Sequence, residues 1–142
     1  MVTLREAQRD DRERLAQLLA NYLFEFDGRT EPYPYLDAYW NEPERLPLLI
    51  ESDGDVCGVC LIRKRNGGWS IAEFYVEPRR RRGGVGRATV ETLAEQARSE
   101  GAAFLEAKVH PDNRDALPFW LGVGFSEIDP PETGVTVTRR SL

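Results

Sequence analysis

A glycine-rich loop between an apolar strand pattern and a helical pattern is the stretch of this sequence best suited to bind an anion. The strand pattern covers residues 71–76, and the glycines of the loop are Gly83, Gly84 and Gly86. Glycines let the backbone approach a ligand closely, and the first turn of a helix offers N–H groups without intrahelical partners. Arginines at 79–82 and 87 surround the loop. We therefore predict a site for a ligand with more than one phosphate.

The two commonest phosphate-binding motifs are absent from this loop. A P-loop needs G-x-x-x-x-G-K-[ST], and the dinucleotide fingerprint needs a third small residue at the position of Thr89. The motif present is Arg81-x-x-Gly84-x-Gly86, shortly after Val76-Glu77-Pro78. In this strand–loop–helix setting it resembles the GNAT superfamily of N-acetyltransferases, whose acetyl-CoA pyrophosphate loop is [Q/R]-x-x-G-x-[G/A].

A downstream segment strengthens this resemblance. It reads Asn113-x-x-Ala116-x-x-Phe119-Trp120, ends in Gly124-Phe125, and is similar to the N-x-x-A-x-x-F-[Y]…G-F segment of the family. Two motifs in the right order are more specific than a glycine-rich loop alone. The segments Glu73-Phe74-Tyr75-Val76 and Phe119-Trp120 look most like a branch of predicted acetyltransferases with E-F-[FY]-V and F-W.

The resemblance implies a fold, a co-substrate and a set of binding residues. The fold is the acyl-CoA N-acyltransferase fold, and the co-substrate is acetyl-CoA, with no metal. Backbone groups of Phe74 and Val76 are expected to bind the pantetheine arm, with Asn113 on its other side and Phe119 and Trp120 packed beside it. The residues expected to cradle the pyrophosphate are Arg81, Arg82, Gly83, Gly84, Val85, Gly86 and Arg87.

Glu73 is the leading candidate for the general base that deprotonates an amine. It interrupts an apolar strand, and the alternation of a strand predicts that it shares a face with Ile71 and Tyr75. Apolar surroundings raise the pKa of a carboxyl toward the range useful for a base. A structural ion pair is the alternative interpretation of Glu73. His110, the sole histidine, is the second candidate base.

The leaving thiolate is where this chain departs from the family pattern. Trp120 stands where many relatives carry a tyrosine that can protonate the CoA sulfur, and an indole has no acidic proton to give. Either Tyr75 supplies the proton, or none is needed because a thiolate with a pKa of roughly 8.5 leaves readily. A third alternative is a catalytically silent domain that only binds CoA. In the active alternatives the amine attacks acetyl-CoA directly in a ternary complex.

The acceptor is expected to be a small-molecule amine or a peptide amine. Residues 22–44 combine many aromatic side chains with acidic ones, which suits a cationic amine. Core packing of the same aromatics is the alternative. Their identities are Tyr22, Phe24, Phe26, Tyr33, Tyr35, Tyr39 and Trp40.

Composition limits the remaining function classes. With 142 residues and 41% hydrophobic content, residues 1–142 are predicted to form a single domain. A net charge of −5 disfavours the rival function, a non-enzymatic binder of nucleic acid or acidic protein through residues 79–82. Cys57 and Cys60 are predicted to be buried thiols on opposite faces of a strand. No membrane span or signal peptide is expected, so a cytoplasmic location is the default, and a homodimer stays open.

The predicted fold class is α/β (α+β), a mixed, mainly antiparallel sheet with one parallel crossover and about four helices. Strand patterns cover residues 2–5, 46–50, 56–63, 69–76, 103–109, 125–128 and 135–139. The helix between the fourth and fifth of these strands requires that the two be parallel. The first helix is predicted to begin at a capping box of Asp10 and Glu13, and the last to be capped by Asp112 or Asn113.

Overall fold

The computed structural model describes residues 1–128 and 134–142. Its strands are β1 Val2–Glu6, β2 Arg45–Ser52, β3 Asp55–Arg65, β4 Gly68–Val76, β5 Phe104–Val109, β6 Ser126–Glu127 and β7 Thr136–Ser141. Its α-helices are α1 Arg12–Asp27, α2 Ala38–Asn41, α3 Val85–Ser99 and α4 Leu117–Gly122. Short 3₁₀ helices cover Arg9–Asp11, Pro78–Arg80 and Pro111–Ala116. No helix among these residues is long and apolar enough to cross a membrane.

The strands form one seven-stranded sheet with the order β1-β2-β3-β4-β5-β7-β6. Strands β1 to β4 form an antiparallel meander, and β5 pairs with β7 in antiparallel orientation. The pair β4–β5 is parallel because α3 carries the chain back across the sheet between them. This arrangement confirms the predicted fold class.

Helices cover the sheet on both faces. On one face, α3 buries the apolar stripe Val90, Leu93, Ala94 and Ala97 in a core that also includes Trp120 of α4. On the other face, α1 buries Leu15, Leu18 and Leu19 against β2 to β4, together with Tyr39 of α2. Strand β4 therefore lies between α1 and α3, and its side chains reach both helical layers.

Two β-bulges change which side chains share a face. Strand β4 pairs Glu73 with Leu61 but Ile71 with Ile62, so Ala72 is an extra residue. Glu73 therefore faces the α1 layer with Tyr75, whereas Ile71 packs in the α3 core, and the prediction that all three share a face is wrong for Ile71.

The second bulge lies in β3. The register between β2 and β3 shifts so that Cys57 is an extra residue, and Cys57 and Cys60 both belong to the α3 core. The prediction that the two thiols lie on opposite faces is therefore wrong. Residues three apart in a regular strand point to opposite faces, but the extra residue of the bulge puts both side chains on the same face. Both thiols are free and buried, as predicted.

Two helix starts also differ from the prediction. The carboxylate that accepts from the backbone before α1 belongs to Asp11, which receives the Gln8 N–H at 2.8 Å, so Asp10 and Glu13 do not form a capping box. The last helix begins at Leu117 with no side-chain cap, because Asn113 lies in the preceding 3₁₀ segment with a non-helical backbone.

Candidate active site

A cleft opens where β4 and β5 separate. Their parallel pairing covers Trp69↔Leu105, Ser70↔Glu106 and Ile71↔Ala107 and goes no further in the described chain. Beyond Ile71, β4 keeps β3 on one side and exposes its other edge to a cleft of about 870 Å³. The backbone of residues 73–76 therefore has hydrogen-bonding capacity available to a ligand.

The glycine-rich loop closes one end of the cleft. Arg82 and Gly84 have φ of 65° and 86°, which turns the chain sharply into α3. The first intrahelical bond runs from the Ala88 N–H to the Gly84 carbonyl, so the N–H groups of residues 85–87 have no partner in the helix. These free N–H groups and the positive end of the α3 dipole have the geometry and polarity that suit an anion.

The predicted loop residues do not all face this space. Arg82, Gly84, Gly86 and Arg87 line the cleft together with Arg81. Val85 is buried in the core, and neither it nor Gly83 lines the cleft.

Gly86 has a packing reason to be glycine. A Cβ atom at this position would lie 3.0 Å from a ring carbon of Phe119, closer than the ring allows without moving. The helix start and the aromatic wall of the cleft are therefore in direct contact.

Most of the arginine run is neutralised by ion pairs. Arg79, Arg80 and Arg81 pair with acidic side chains at 3.5, 2.9 and 2.6 Å. The acidic partners are Glu77, Asp55 and Glu25, in that order. Within the described chain, Arg82 has no ion pair and is exposed at the cleft.

Arg81, which is expected to cradle the pyrophosphate, lines the cleft and is held by an ion pair and a backbone contact. Its guanidinium contacts Glu25 through both terminal nitrogens, at 2.6 and 2.7 Å. Its Nε donates to the Val76 carbonyl at 2.8 Å, so this carbonyl, predicted to bind the pantetheine arm, already has a partner.

The opposite wall of the cleft is aromatic. Phe119 and Trp120 of α4 lie 5.7 and 5.3 Å from the ring of Phe74 on β4, and Trp120 stacks edge-on with Phe125 at 5.0 Å. Trp120 is only 7% exposed, so the indole is mainly a packing element. Asn113 also lines the cleft. These side chains enclose an apolar passage beside the free edge of β4.

Glu73 lies in the cleft with its carboxylate against α1 and the following loop. Burial raises the pKa of Glu73, and hydrogen bonding from Tyr22 and Tyr33 counteracts this, as do the charges of Arg29 and His110. The carboxylate is thus half-buried and flanked by phenols instead of a tight ion pair. His110 is exposed and does not line the cleft.

Tyr75 lies between the two ends of the cleft. Its ring is 5.9 Å from that of Tyr22 and 5.4 Å from the Arg81 guanidinium, and the residue is 6% exposed. Burial raises the pKa of Tyr75, so the phenol keeps its proton at neutral pH.

The aromatic residues of the 22–44 region divide between site and core. Tyr22 and Phe26 line the cleft, whereas Tyr39 is buried and Trp40 donates its indole N–H to the Ala7 carbonyl at 3.0 Å. Phe24 and Tyr35 are exposed away from it.

Glu25 is one of several cleft residues that the sequence motifs did not identify. It follows Tyr22 by three positions on α1 and therefore lies on the same helix face. That spacing was the available signal.

No group of three or more histidine, cysteine, aspartate or glutamate side chains capable of holding a metal occurs in residues 1–128 and 134–142. The cleft contains a helix start with free N–H groups, a free strand edge and a half-buried carboxylate.

Comparison with known proteins identifies the family of this chain. A sequence model of the acetyltransferase (GNAT) family matches residues 12–125. The chain belongs to the GNAT family. The match includes both the glycine loop and the segment that ends at Phe125, and it leaves the first eleven residues outside. No protein in the curated collection of sequences matches the chain.

Solved GNAT structures share the fold over the whole length. An acetyltransferase from Thermus thermophilus has a TM-score of 0.83 at 19% identity and covers 100% of this chain and 97% of its own. The PaiA N-acetyltransferase of Thermoplasma acidophilum, solved in complex with coenzyme A, has a TM-score of 0.79 at 12% identity, with coverage of 100% and 99%. A GNAT acetyltransferase from Staphylococcus aureus has a TM-score of 0.80 at 16% identity, with 99% coverage of both chains. At these identities the likeness concerns the fold.

Proposed function

We propose that this protein is an N-acetyltransferase that moves the acetyl group of acetyl-CoA to a primary amine by direct attack in a ternary complex. The observation that carries the proposal is the cleft between β4 and β5, which has a free helix start at one end and Glu73 beyond it. Family membership supports acyl transfer as the reaction class. The CoA complex of the Thermoplasma relative supports the choice of co-substrate.

The chain offers separate groups for each part of acetyl-CoA. The pyrophosphate would accept hydrogen bonds from the N–H groups of residues 85–87, with Arg82 and Arg87 as cations. The pantetheine arm would lie along the free edge of β4 with Asn113 opposite. The aromatic wall of Phe74, Phe119 and Trp120 would exclude water from the thioester end.

Glu73 would act as the general base. The amine nitrogen forms a bond to the thioester carbonyl carbon, its proton passes to the Glu73 carboxylate, and the C–S bond breaks to release CoA. A raised pKa suits this role, because the base then operates nearer to neutral pH. The hydroxyls of Tyr22 and Tyr33 would hold the carboxylate in place between turnovers.

Tyr75 would protonate the departing thiolate. It lies between the loop and Tyr22, and its phenol carries a proton at neutral pH. Trp120 would shape the passage without taking part in proton transfer. Tyr75 would thus take the role of the tyrosine that many relatives carry at the position of Trp120.

The acceptor would be an amine with a cationic ground state. Tyr22 and Phe26 provide aromatic faces at the α1 side of the cleft, and Glu73 provides negative charge. A protonated amine would be attracted to this wall and would lose its extra proton to solvent before attack, so that Glu73 accepts only the proton released as the C–N bond forms. Nucleic acid is a poor alternative, because the acidic partners of Arg79, Arg80 and Arg81 already neutralise them.

Two measurements test the proposal. Thermal unfolding is recorded with acetyl-CoA, CoA, ATP, NAD and a short DNA duplex, and we expect stabilisation by the two CoA species alone. Thiol release from acetyl-CoA is then followed with a panel of amines: a simple monoamine, an aromatic monoamine, spermidine, lysine and a peptide with a free N-terminus. Stabilisation by CoA without thiol release above the amine-free rate would indicate a silent CoA-binding domain. No stabilisation by either CoA species would refute the proposal.

A further inference from the structure

Each of the three guanidinium nitrogens of Arg81, which opens the loop motif, donates a hydrogen bond. The guanidinium holds both carboxylate oxygens of Glu25, at 2.6 and 2.7 Å, and its Nε holds the Val76 carbonyl at 2.8 Å. Its plane also lies over the ring of Tyr75, with 5.4 Å between the guanidinium carbon and the ring centroid. A bidentate arginine–carboxylate pair is among the strongest and most directional polar contacts in proteins.

These contacts connect two elements that are distant in sequence. Glu25 lies near the end of α1, next to Phe26 and three residues after Tyr22, which are the acceptor-side aromatics of the cleft. Val76 is the last residue of β4. Arg81 therefore joins the acceptor-side helix to the strand along which the pantetheine arm would lie.

Both charges of the pair persist across the neutral range. Hydrogen bonding to Arg81 lowers the pKa of Glu25, so the carboxylate stays ionised well below neutral pH. The two side chains are 40% and 44% exposed, and exposed ion pairs contribute little to overall stability. The contact is thus better suited to fix a local geometry than to hold the fold together.

Phosphate binding by Arg81 would have to use its two remaining N–H donors, on a guanidinium whose charge Glu25 already offsets. Arg82 and Arg87 line the same end of the cleft beside the free N–H groups of α3, and Arg87 has one hydrogen bond, to the Gly122 carbonyl, and no ion pair within the described chain. Arg82 has no ion pair within the described chain. An anion therefore has cationic and N–H partners available without disturbing Glu25.

We propose that Arg81 is a positioning residue that clamps the end of α1 to the exit of β4 and so sets the acceptor side of the cleft, and that it is not a ligand of the pyrophosphate. This inference rests on the proposed function, since it assigns the two ends of the cleft to acceptor and CoA. It differs from the expectation that the whole of residues 81–87 cradles the phosphates.

The test compares three variants of the clamp with one control. Arg81→Ala removes both charge and geometry, Arg81→Lys keeps only the charge, and Glu25→Gln removes the partner carboxylate but leaves the arginine. Arg80→Ala is the matched control, because Arg80 forms a similar ion pair with Asp55 at 2.9 Å and does not line the cleft. For each protein, CoA affinity is measured by calorimetry and amide hydrogen exchange is followed at residues 20–28.

The clamp predicts the same pattern for all three variants. CoA affinity should stay within about threefold of the wild type, as for loss of an exposed ion pair. Amide exchange at residues 20–28 should accelerate by about two- to fivefold, since an exposed ion pair is worth up to about 1 kcal/mol. With the panel amine that supports turnover, KM for the amine should rise while KM for acetyl-CoA stays constant, a split that a general loss of stability would not produce. Arg80→Ala should change none of these quantities.

If Arg81 instead binds phosphate, the variants should differ in their CoA affinity. Loss of a charge-assisted bond to phosphate in Arg81→Ala would weaken CoA by more than about tenfold. In that case Arg81→Lys would retain much of the affinity, and Glu25→Gln, which frees the arginine, would tighten CoA; this pattern would overturn the proposal. A wild-type protein that does not bind CoA would instead refute the proposed function, and the exchange comparison would still decide whether the clamp exists.

Discussion

Replacement of Glu73 by glutamine should lower turnover and should also change how the free energy of unfolding depends on pH. The variant keeps the shape of the side chain and its contacts with Tyr22 and Tyr33 but loses the charge. Removal of a general base lowers turnover by about 10² to 10⁴-fold. Because Glu73 does not lie at the phosphate end of the cleft, CoA affinity should remain within about threefold.

The stability effect follows from the pKa of Glu73. Burial raises this pKa above the ordinary value of 4.5, so the folded state holds the proton more tightly than the unfolded state. As pH rises from about 4.5 through the folded-state pKa, the wild type therefore loses free energy of unfolding, and each pH unit of the difference is worth about 1.4 kcal/mol. Glutamine does not titrate, so the variant lacks this loss.

The assay is urea unfolding of wild type and variant from pH 4 to pH 8, together with the pH profile of kcat/KM. The absolute offset between the two stabilities depends on how the phenol hydrogen bonds adapt to an amide. The change of that offset with pH does not, and it should favour the variant increasingly as pH rises. Glu95→Gln, at an exposed position on α3, is the control. Its free energy of unfolding, plotted against pH, should run parallel to that of the wild type. Parallel curves for Glu73→Gln, with turnover within threefold of wild type, would refute the assignment.

The remaining predictions concern other parts of the cleft. Gly86→Val should weaken CoA by at least about tenfold with the circular dichroism spectrum unchanged, because its Cβ would push against the Phe119 ring 3.0 Å away; equal affinity in calorimetry would contradict the site. Trp120→Tyr should cost about 1–3 kcal/mol in urea unfolding and leave kcat within a few-fold, whereas a rise in kcat would show that thiolate departure limits the rate and lacks a proton donor. Tyr75→Phe should then lower kcat by about 10² with KM unchanged, and an unaltered kcat would assign the proton to solvent. Tyr33→Phe should move the acidic limb of the kcat/KM profile to higher pH, since it removes a hydrogen bond that favours the ionised base; an unmoved limb would contradict that contact.

Much of the fold could be predicted from local patterns. Helix α3 follows from apolar residues at helical spacing between two glycines, and the strands from short apolar runs separated by turn residues such as Asp53-Gly54 and Asn66-Gly67. The parallel β4–β5 pair then follows from the connecting helix. These features can be predicted because the preference of a segment for helix, strand or turn depends on residues that are close together in sequence.

The location of the proposed anion site is likewise a property of the sequence. A loop with Gly84 and Gly86 ahead of a helix leaves N–H groups free wherever the rest of the chain goes. The family resemblance extended this to a whole binding site, and the family match confirmed the membership.

The strand register, and with it the neighbours of Glu73 and of the two cysteines, is determined by the tertiary structure. The bulge at Ala72 turns Glu73 away from Ile71 and toward the phenols, and the bulge at Cys57 brings both thiols to one face. A bulge is set by the packing of the neighbouring strands and both helical layers, so alternation along one strand does not reveal it.

The pairing of the arginines is the second feature that sequence order hides. Arg81 appears in the sequence as one member of a basic run, and its nearest acidic neighbour in the chain is Glu77. In the fold its partner is Glu25, on a helix that packs on the opposite side of β4 from α3. The sequence alone determined where an anion can bind, because helix starts and glycine turns are local. Only the tertiary structure decided which cations remain available for it, because ion pairs form between side chains that packing brings together.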